Sequence, residues 1–281
     1  MPRQIVLVDC PDSVGLIHRI TGVLGDRRLN IETNQEFVDP ATRHFFFRAE
    51  VVPADADVAT GELRMDLERV LPAGARVRVT AVDRRPIVVC VTREPHCVGE
   101  LLLLDAVGEL PGRIVGVVGN HELLRPLVER FGIPFTHVPH DGCERAAHER
   151  GIAAAIDAHA PAVVVLARYM RILSPEFVGR YAGRLINIHH SFLPAFAGAA
   201  PYRQAFDRGV KLIGATAHFV TAELDDGPII AQDVIPVDHA DTPERMAQAG
   251  SDVEKLVLAR AVRLVLEDRV FVHGRRTVVM R

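Results

Sequence analysis

Apolar positions change period from element to element at the start of the chain. Arg3–Asp9 is an apolar run that predicts a strand, and Leu16, Ile17, Ile20, Val23 and Leu24 then recur at helical spacing. Asp12 or Ser13 offers a side-chain cap for that helix. Leu29–Val38 predicts a second strand, closed by the turn residues Asp39 and Pro40. In the run after Arg43, Phe45, Phe47, Ala49 and Val51 alternate with His44, Arg48 and Glu50, the period of a half-buried strand. Thr60 caps a second helix with Leu63, Leu67, Val70 and Leu71 on one stripe, and Ala75, Val77, Val79 and Ala81 alternate again. The order is βαββαβ, a ferredoxin-like split unit. It ends at Asp83-Arg84-Arg85-Pro86, a polar stretch that suits a domain boundary, so the domains are expected at 1–83 and 84–281.

The second part has another rhythm. Ile87–Thr92, Arg113–Gly119, Phe135–Val138, Ala162–Ala167 and Leu185–His189 are short apolar runs, mostly without alternation, as parallel strands covered on both faces require. Helical stretches lie between them, at His96–Glu109, Leu123–Phe131 and Cys143–His159. This is the signature of βαβ crossovers and a Rossmann-like, mostly parallel α/β sheet. Longer strands follow at Leu212–Val220 and Ile229–Val237. Thr242 with Pro243 then opens a helix to about Glu267, whose stripe is Met246, Ala249, Val253, Leu256 and Val257. A short Val270–Met280 strand closes the chain.

Composition narrows the class. A chain of 281 residues with 48% hydrophobic and 25% charged residues is an ordinary globular protein with room for two domains. Its 33 cationic residues are scattered and the net charge is −3, so a nucleic-acid partner, which demands concentrated positive charge, is not expected. No apolar run approaches the ~20 residues of a membrane span, and Ile5–Val8 stops at Asp9, too short for a secretory core. Cys10, Cys90, Cys97 and Cys143 form neither a CxxC pair nor a dense framework, so reduced thiols in a cytoplasmic chain are the expectation.

In open parallel sheets ligands bind beyond the carboxyl ends of strands, and four such ends carry information. In Leu185–Pro194, alternation puts Asn187 and His189 on one side, an amide donor and an imidazole aimed at one point, with His190 facing the other way. Taken alone, such a pair serves as readily to satisfy backbone groups. Ala222-Glu223-Leu224-Asp225-Asp226-Gly227-Pro228 reads as a hairpin turn, yet it sets two carboxylates beside apolar strands, where one can be directed against a histidine. Ala167–Pro175 follows a strand and precedes a helix capped at Ser174, a loop able to offer backbone donors and acceptors to a flat heterocycle. In Thr92–Gly99, Pro95 has no N–H and Gly99 is the only glycine, which argues against a phosphate cradle. His137, His140 and Cys143 match no closed tetrahedral spacing, and no GxSxG elbow is present.

These residues carry a resemblance. Ile186–Pro194 resembles the Asn-x-His signature of the folate-dependent formyltransferase fold, Asp225 falls where that fold keeps its third catalytic residue, and Met170-Arg171-Ile172-Leu173 resembles its folate-binding loop. Glu94-Pro95-His96-Cys97, Asn120-His121 and Gly214–Val237 look like the formyltetrahydrofolate deformylase family in particular. Asp12–Leu16 with Leu29-Asn30-Ile31 looks like the ACT domain which that family carries. One departure is Ala200, where a basic residue is expected in deformylases; Gly198-Ala199-Ala200-Pro201 is closer to a transfer-RNA formyltransferase.

The resemblance implies hydrolysis of 10-formyltetrahydrofolate to tetrahydrofolate and formate, with Asn187, His189 and Asp225 catalytic and neither metal nor cofactor required. It implies folate contacts at Met170, Arg171, Ile172, Leu173 and Gly227, and cleft positions for His96, Cys97, Asn120 and His190. For the ACT-like domain it implies either a small amino-acid effector near Asp12, Gly15 and Asn30 or assembly of a homo-oligomer (dimer or tetramer) alone. Hydrolase and transferase would share the trio. A phosphate cradle or a basic RNA-binding appendage would mark a transferase, and neither is legible here. The reading from another class is an amino-acid-sensing protein with a degenerate catalytic half, against which the intact trio stands.

Overall fold

The computed structural model describes residues 3–55, 58–194 and 201–281. The stretch Gly198–Ala200, whose Ala200 departs from the deformylase pattern, lies outside the described residues. Two compact units emerge. The first is residues 1–83 together with Asp268–Phe271 and Val278–Arg281; the second is Arg84–Glu267 with Val272–Thr277. The chain switches units after Asp83, and its last residues are divided between the two.

In the first unit, β1 (Gln4–Pro11), α1 (Leu16–Asp26), β2 (Leu29–Asp39), β3 (His44–Pro53), α2 (Thr60–Val70) and β4 (Arg76–Ala81) follow in the βαββαβ order. They form an antiparallel sheet of order β2-β3-β1-β4. Val6, Val8, Phe45, Phe47 and Val51 point to the helices, where Leu16, Ile20, Leu24, Leu63 and Leu67 complete the core. β3 is not half-buried as its alternation suggested. Phe46 on the opposite face is fully buried with Ile5, Leu7, Phe271 and Met280, because the end of the chain covers that side. The helix starts also differ from expectation. α1 follows Gly15 in the left-handed region (φ 86°) with no side-chain cap, while the Asp12 carboxylate pairs with Arg43 at 2.9 Å. Thr60 is the first residue of α2, after Ala59, and caps nothing.

The second unit runs β5 (Arg85–Val91), α3 (His96–Ala106), β6 (Gly112–Gly119), a single 3-10 turn, α4 (Arg125–Glu129), β7 (Phe135–His137), α5 (Arg145–Asp157), β8 (Val163–Ala167), α6 (Pro175–Arg180) and β9 (Leu185–His189). After α7 (Pro201–Arg208), an element absent from the sequence reading, come β10 (Leu212–Phe219), β11 (Ile229–Pro236) and α8 (Pro243–Leu266). The sheet order is β11-β10-β9-β8-β5-β6-β7, with β5 to β9 parallel and β10 and β11 antiparallel. Strand order reverses between β5 and β8, the switch point at which such sheets bind ligands.

Ser174 and Thr242 cap α6 and α8, accepting the backbone N–H groups of Phe177 and Arg245. α8 turns Met246, Val253, Val257 and Leu258 inward, whereas Leu256 from the expected stripe is 54% exposed. The final run is a hairpin rather than one strand: β12 (Val270–His273) reverses at Gly274 (φ 59°) into β13 (Arg276–Val279). No helix among the described residues is long and apolar enough to cross a membrane.

Phe271 lies far from the first unit in sequence yet edges onto Phe46 at a ring distance of 5.4 Å. Phe271→Ala is expected to cost the first unit about 3–5 kcal/mol, read as faster amide exchange in β1 and β3. Unchanged exchange there would contradict this packing.

Candidate active site

The site grows from the pleat of β9. Residues two apart share a face, so Asn187 and His189 project together. Antiparallel pairing with β10 sets His218 opposite Asn187 and Thr216 opposite His189. Thr216 is spent on structure, since its Oγ donates to the Ser191 carbonyl and accepts from the Leu193 N–H. His218 is nearly fully buried. Its Nδ1–H donates to the Phe219 carbonyl at 2.9 Å, which leaves Nε2 as an acceptor for the Asn187 amide N–H at 3.3 Å. That bond aligns the Asn187 amide and leaves its second N–H unspent.

Asp225 comes from the turn after β10. Its backbone sits in the left-handed region (φ 53°), where aspartate is better tolerated than most residues. Oδ2 lies 3.3 Å from His189 Nδ1, and Oδ1 lies 3.8 Å from His218 Nε2. The hydrogen bond from His189 holds the Asp225 carboxyl below the usual aspartate range against the opposing effect of burial. Asp226 points outward to an ion pair with Arg275. His189 is 6% exposed, and its Nε2 is buried without a hydrogen-bond partner.

These groups line a cavity of about 310 Å³, whose walls are Arg168–Leu173, the end of β9, and Thr221–Asp225. Met170, Arg171, Ile172 and Leu173 are thus cavity residues. Their loop is pinned at both ends: the Met170 N–H bonds Thr92 Oγ at 2.9 Å, and the Ser174 N–H bonds Glu149 at 2.8 Å. Gly227 is not in the wall. A Cβ there would come within 1.7 Å of the Phe219 carbonyl oxygen, so a glycine is required for the turn to lie against β10.

His190 lines the cavity too, its ring 5.1 Å from that of His189, so it does not simply face away. Burial, with the charge of Arg168, lowers its pKa to about 4. His96 and Cys97 lie outside the cavity wall, grouped with the almost fully buried Glu254 of α8, a residue the sequence reading missed. Glu254 accepts from His96 Nε2 at 2.8 Å and Tyr202 Oη at 2.6 Å, with Arg168 Nε at 3.4 Å. Burial alone would raise the Glu254 carboxyl, but His96, Arg168 and Tyr202 outweigh it and hold it low. Burial pushes the Cys97 thiol well up. With the carboxylate spent on donors, a guanidinium beside it and the thiol protonated, this trio does not fit a resident cation.

Asn120, at the end of β6, is 2% exposed with no hydrogen-bond partner for its amide, and it is not in the cavity wall. His137 pairs with Glu122 at 3.0 Å, His140 with Asp141 at 3.4 Å, and Cys143 is exposed. In the first unit, Asn30 is exposed on β2 while Asp12 and Gly15 lie in the turn before α1.

Fold and site define a class, a formyl transferase-type domain preceded by an ACT domain. The family model described as "Formyl transferase" matches residues 85–262, and that described as "ACT domain" matches residues 4–64. The chain is 52% identical over 280 residues to formyltetrahydrofolate deformylase of Escherichia coli, covering all of this chain and 99% of that one. A formyltetrahydrofolate deformylase structure from Pseudomonas syringae superposes with TM-score 0.96 at 41% identity, covering 100% of this chain and 95% of that one. A glycinamide ribonucleotide transformylase from Symbiobacterium toebii gives TM-score 0.66 at 32% identity, covering 70% of this chain and 95% of its own. The chain belongs to the formyltetrahydrofolate deformylase family.

The half-buried, neutral His190 has a consequence for stability. Between the ordinary pKa of 6.5 and about 4, the unfolded chain binds a proton that the folded chain refuses, so stability falls as pH drops through that window. His190→Gln is expected to flatten the loss between pH 7 and 5 by on the order of 2 kcal/mol in urea unfolding. An identical acid limb in the variant would contradict it.

Proposed function

We propose that this chain hydrolyses 10-formyltetrahydrofolate to tetrahydrofolate and formate. Full-length similarity to proteins named formyltetrahydrofolate deformylase supports the reading. The observation that carries it is the convergence of Asn187, His189 and Asp225 on one cavity, with the imidazole and carboxylate 3.3 Å apart.

Water adds to the formyl carbon and the carbonyl electron pair moves onto oxygen. Asn187, aligned by His218, donates its spare N–H to that oxyanion, an effect worth roughly 10²–10³ in rate. Asp225 stays ionised, accepts the Nδ1–H of His189 and orients the attacking water. With Nδ1 protonated, His189 Nε2 takes a proton from the attacking water as its oxygen bonds to carbon and then passes that proton to N10, worth about 10²–10⁴. The C–N10 bond breaks. The water hydroxyl ends on carbon, one proton ends on N10, and formic acid gives the other to solvent. Protein donors carry every step, so the proposal includes no metal or cofactor. The backbone of Met170–Leu173 holds the flat pterin ring.

Water rather than an amine is the acceptor in this reading because the strand end at Thr92–Gly99 holds a proline without an N–H and a single glycine, not the glycine-rich loop a phosphorylated co-substrate would want. The ACT-like unit adds a regulatory or assembling role near Asp12, Gly15 and Asn30.

Asp225→Asn should lower kcat by about 10²–10⁴ while KM shifts less than about threefold. Near-normal turnover would overturn the role of Asp225. Incubated with 10-formyltetrahydrofolate alone, the protein should release formate and tetrahydrofolate in equal amounts. Formyl transfer that occurs only when an amine is added would make it a transferase.

A further inference from the structure

Arg168 is a charged cavity residue for which the proposed steps find no use. It directly follows β8 and lies in the left-handed region (φ 58°), a conformation that costs an arginine energy and persists where surroundings enforce it. Its side chain is 14% exposed, yet Nε and Nη1 are buried without any hydrogen-bond acceptor. The nearest carboxylate, Glu254, stands 3.4 Å from Nε and is already spent on His96 and Tyr202. Glu254 therefore balances the charge without closing the fork. Buried cationic donors left open are costly, and a planar carboxylate is the group that fills them in pairs.

We propose that Arg168 is a carboxylate-binding residue of this site, receiving formate as the C–N10 bond breaks. The inference rests on the hydrolytic reading, which turns a neutral formyl group into an anion beside His189. Arg168 shares the cavity wall with Asn187 and His189. Its charge reaches His190, whose ring is 5.1 Å from that of His189. His190 is neutral at physiological pH and does not compete for the anion. A cation here gains little from the neutral formyl group and more from the charge that develops afterwards. The same affinity makes formate an inhibitor.

The test is inhibition of the full chain by sodium formate against sodium chloride at equal ionic strength, together with line broadening of 13C-formate in the presence of tetrahydrofolate. In Arg168→Met the inhibition constant for formate should rise at least about tenfold, with KM for 10-formyltetrahydrofolate within about threefold and the broadening lost. An unchanged inhibition constant in a folded Arg168→Met, with hydrolysis intact, overturns the carboxylate site and leaves the hydrolase standing. Broadening that depends on Arg168 in a protein releasing no formate from the folate leaves the site standing and overturns the hydrolase. If Arg168→Met does not fold, Arg168→Lys replaces it. That variant keeps the charge but loses the fork, so its inhibition constant should still rise by about threefold or more, and no rise overturns the proposal.

Discussion

The reactive arrangement depends on the pleat of one short strand. β9 holds Asn187 and His189 on a common face because backbone hydrogen bonds to β8 and β10 fix its register. A one-residue slip would bury both groups on the wrong side. The same register brings His218 opposite Asn187, so a single pairing sets the amide, its orienting acceptor and the imidazole at once. Only Asp225 arrives separately, from a turn whose left-handed residue lets the chain fold back. In this largely buried setting the His189–Asp225 interaction counts for more than it would at the surface.

Around that strand the fold spends buried polar groups on fixing positions. Thr92 from the end of β5 and Glu149 from α5 hold the two ends of the cavity loop. Glu254, projecting from α8, gathers His96, Tyr202 and Arg168. Each of these carboxylates stays ionised because several donors together outweigh its burial. Such networks rigidify a site when their members are satisfied. Within the Glu254 cluster Arg168 keeps Nε and Nη1 unspent, as His189 keeps Nε2.

The periodicity of the sequence was enough to lay out the βαββαβ unit, the parallel strands and the Asn187/His189 face. It misled where burial had a non-local source. β3 looked half-buried from its alternation, but its second face is covered by residues from the far end of the chain. Leu256 looked like core on a helix whose inward stripe instead includes Glu254. His218 and Glu254 escaped notice because a lone histidine in a strand and a lone glutamate in a helix carry no local signal. Gly227 drew attention as a ligand contact, whereas the close approach of Phe219 requires it.

Local order determined a good deal by itself: element types, the change of rhythm at Asp83, and which side of β9 is polar. These follow from side-chain period, turn chemistry and backbone limits, which act over a few residues. The motif resemblance already singled out Asp225 over Asp226, but tertiary structure alone decided that its carboxylate meets His189, that Asn187 leans on His218, and that Arg168 keeps buried donors open beside Glu254. Those outcomes depend on the packing of segments tens of residues apart, where distance and desolvation set the energies and no short-range pattern records them.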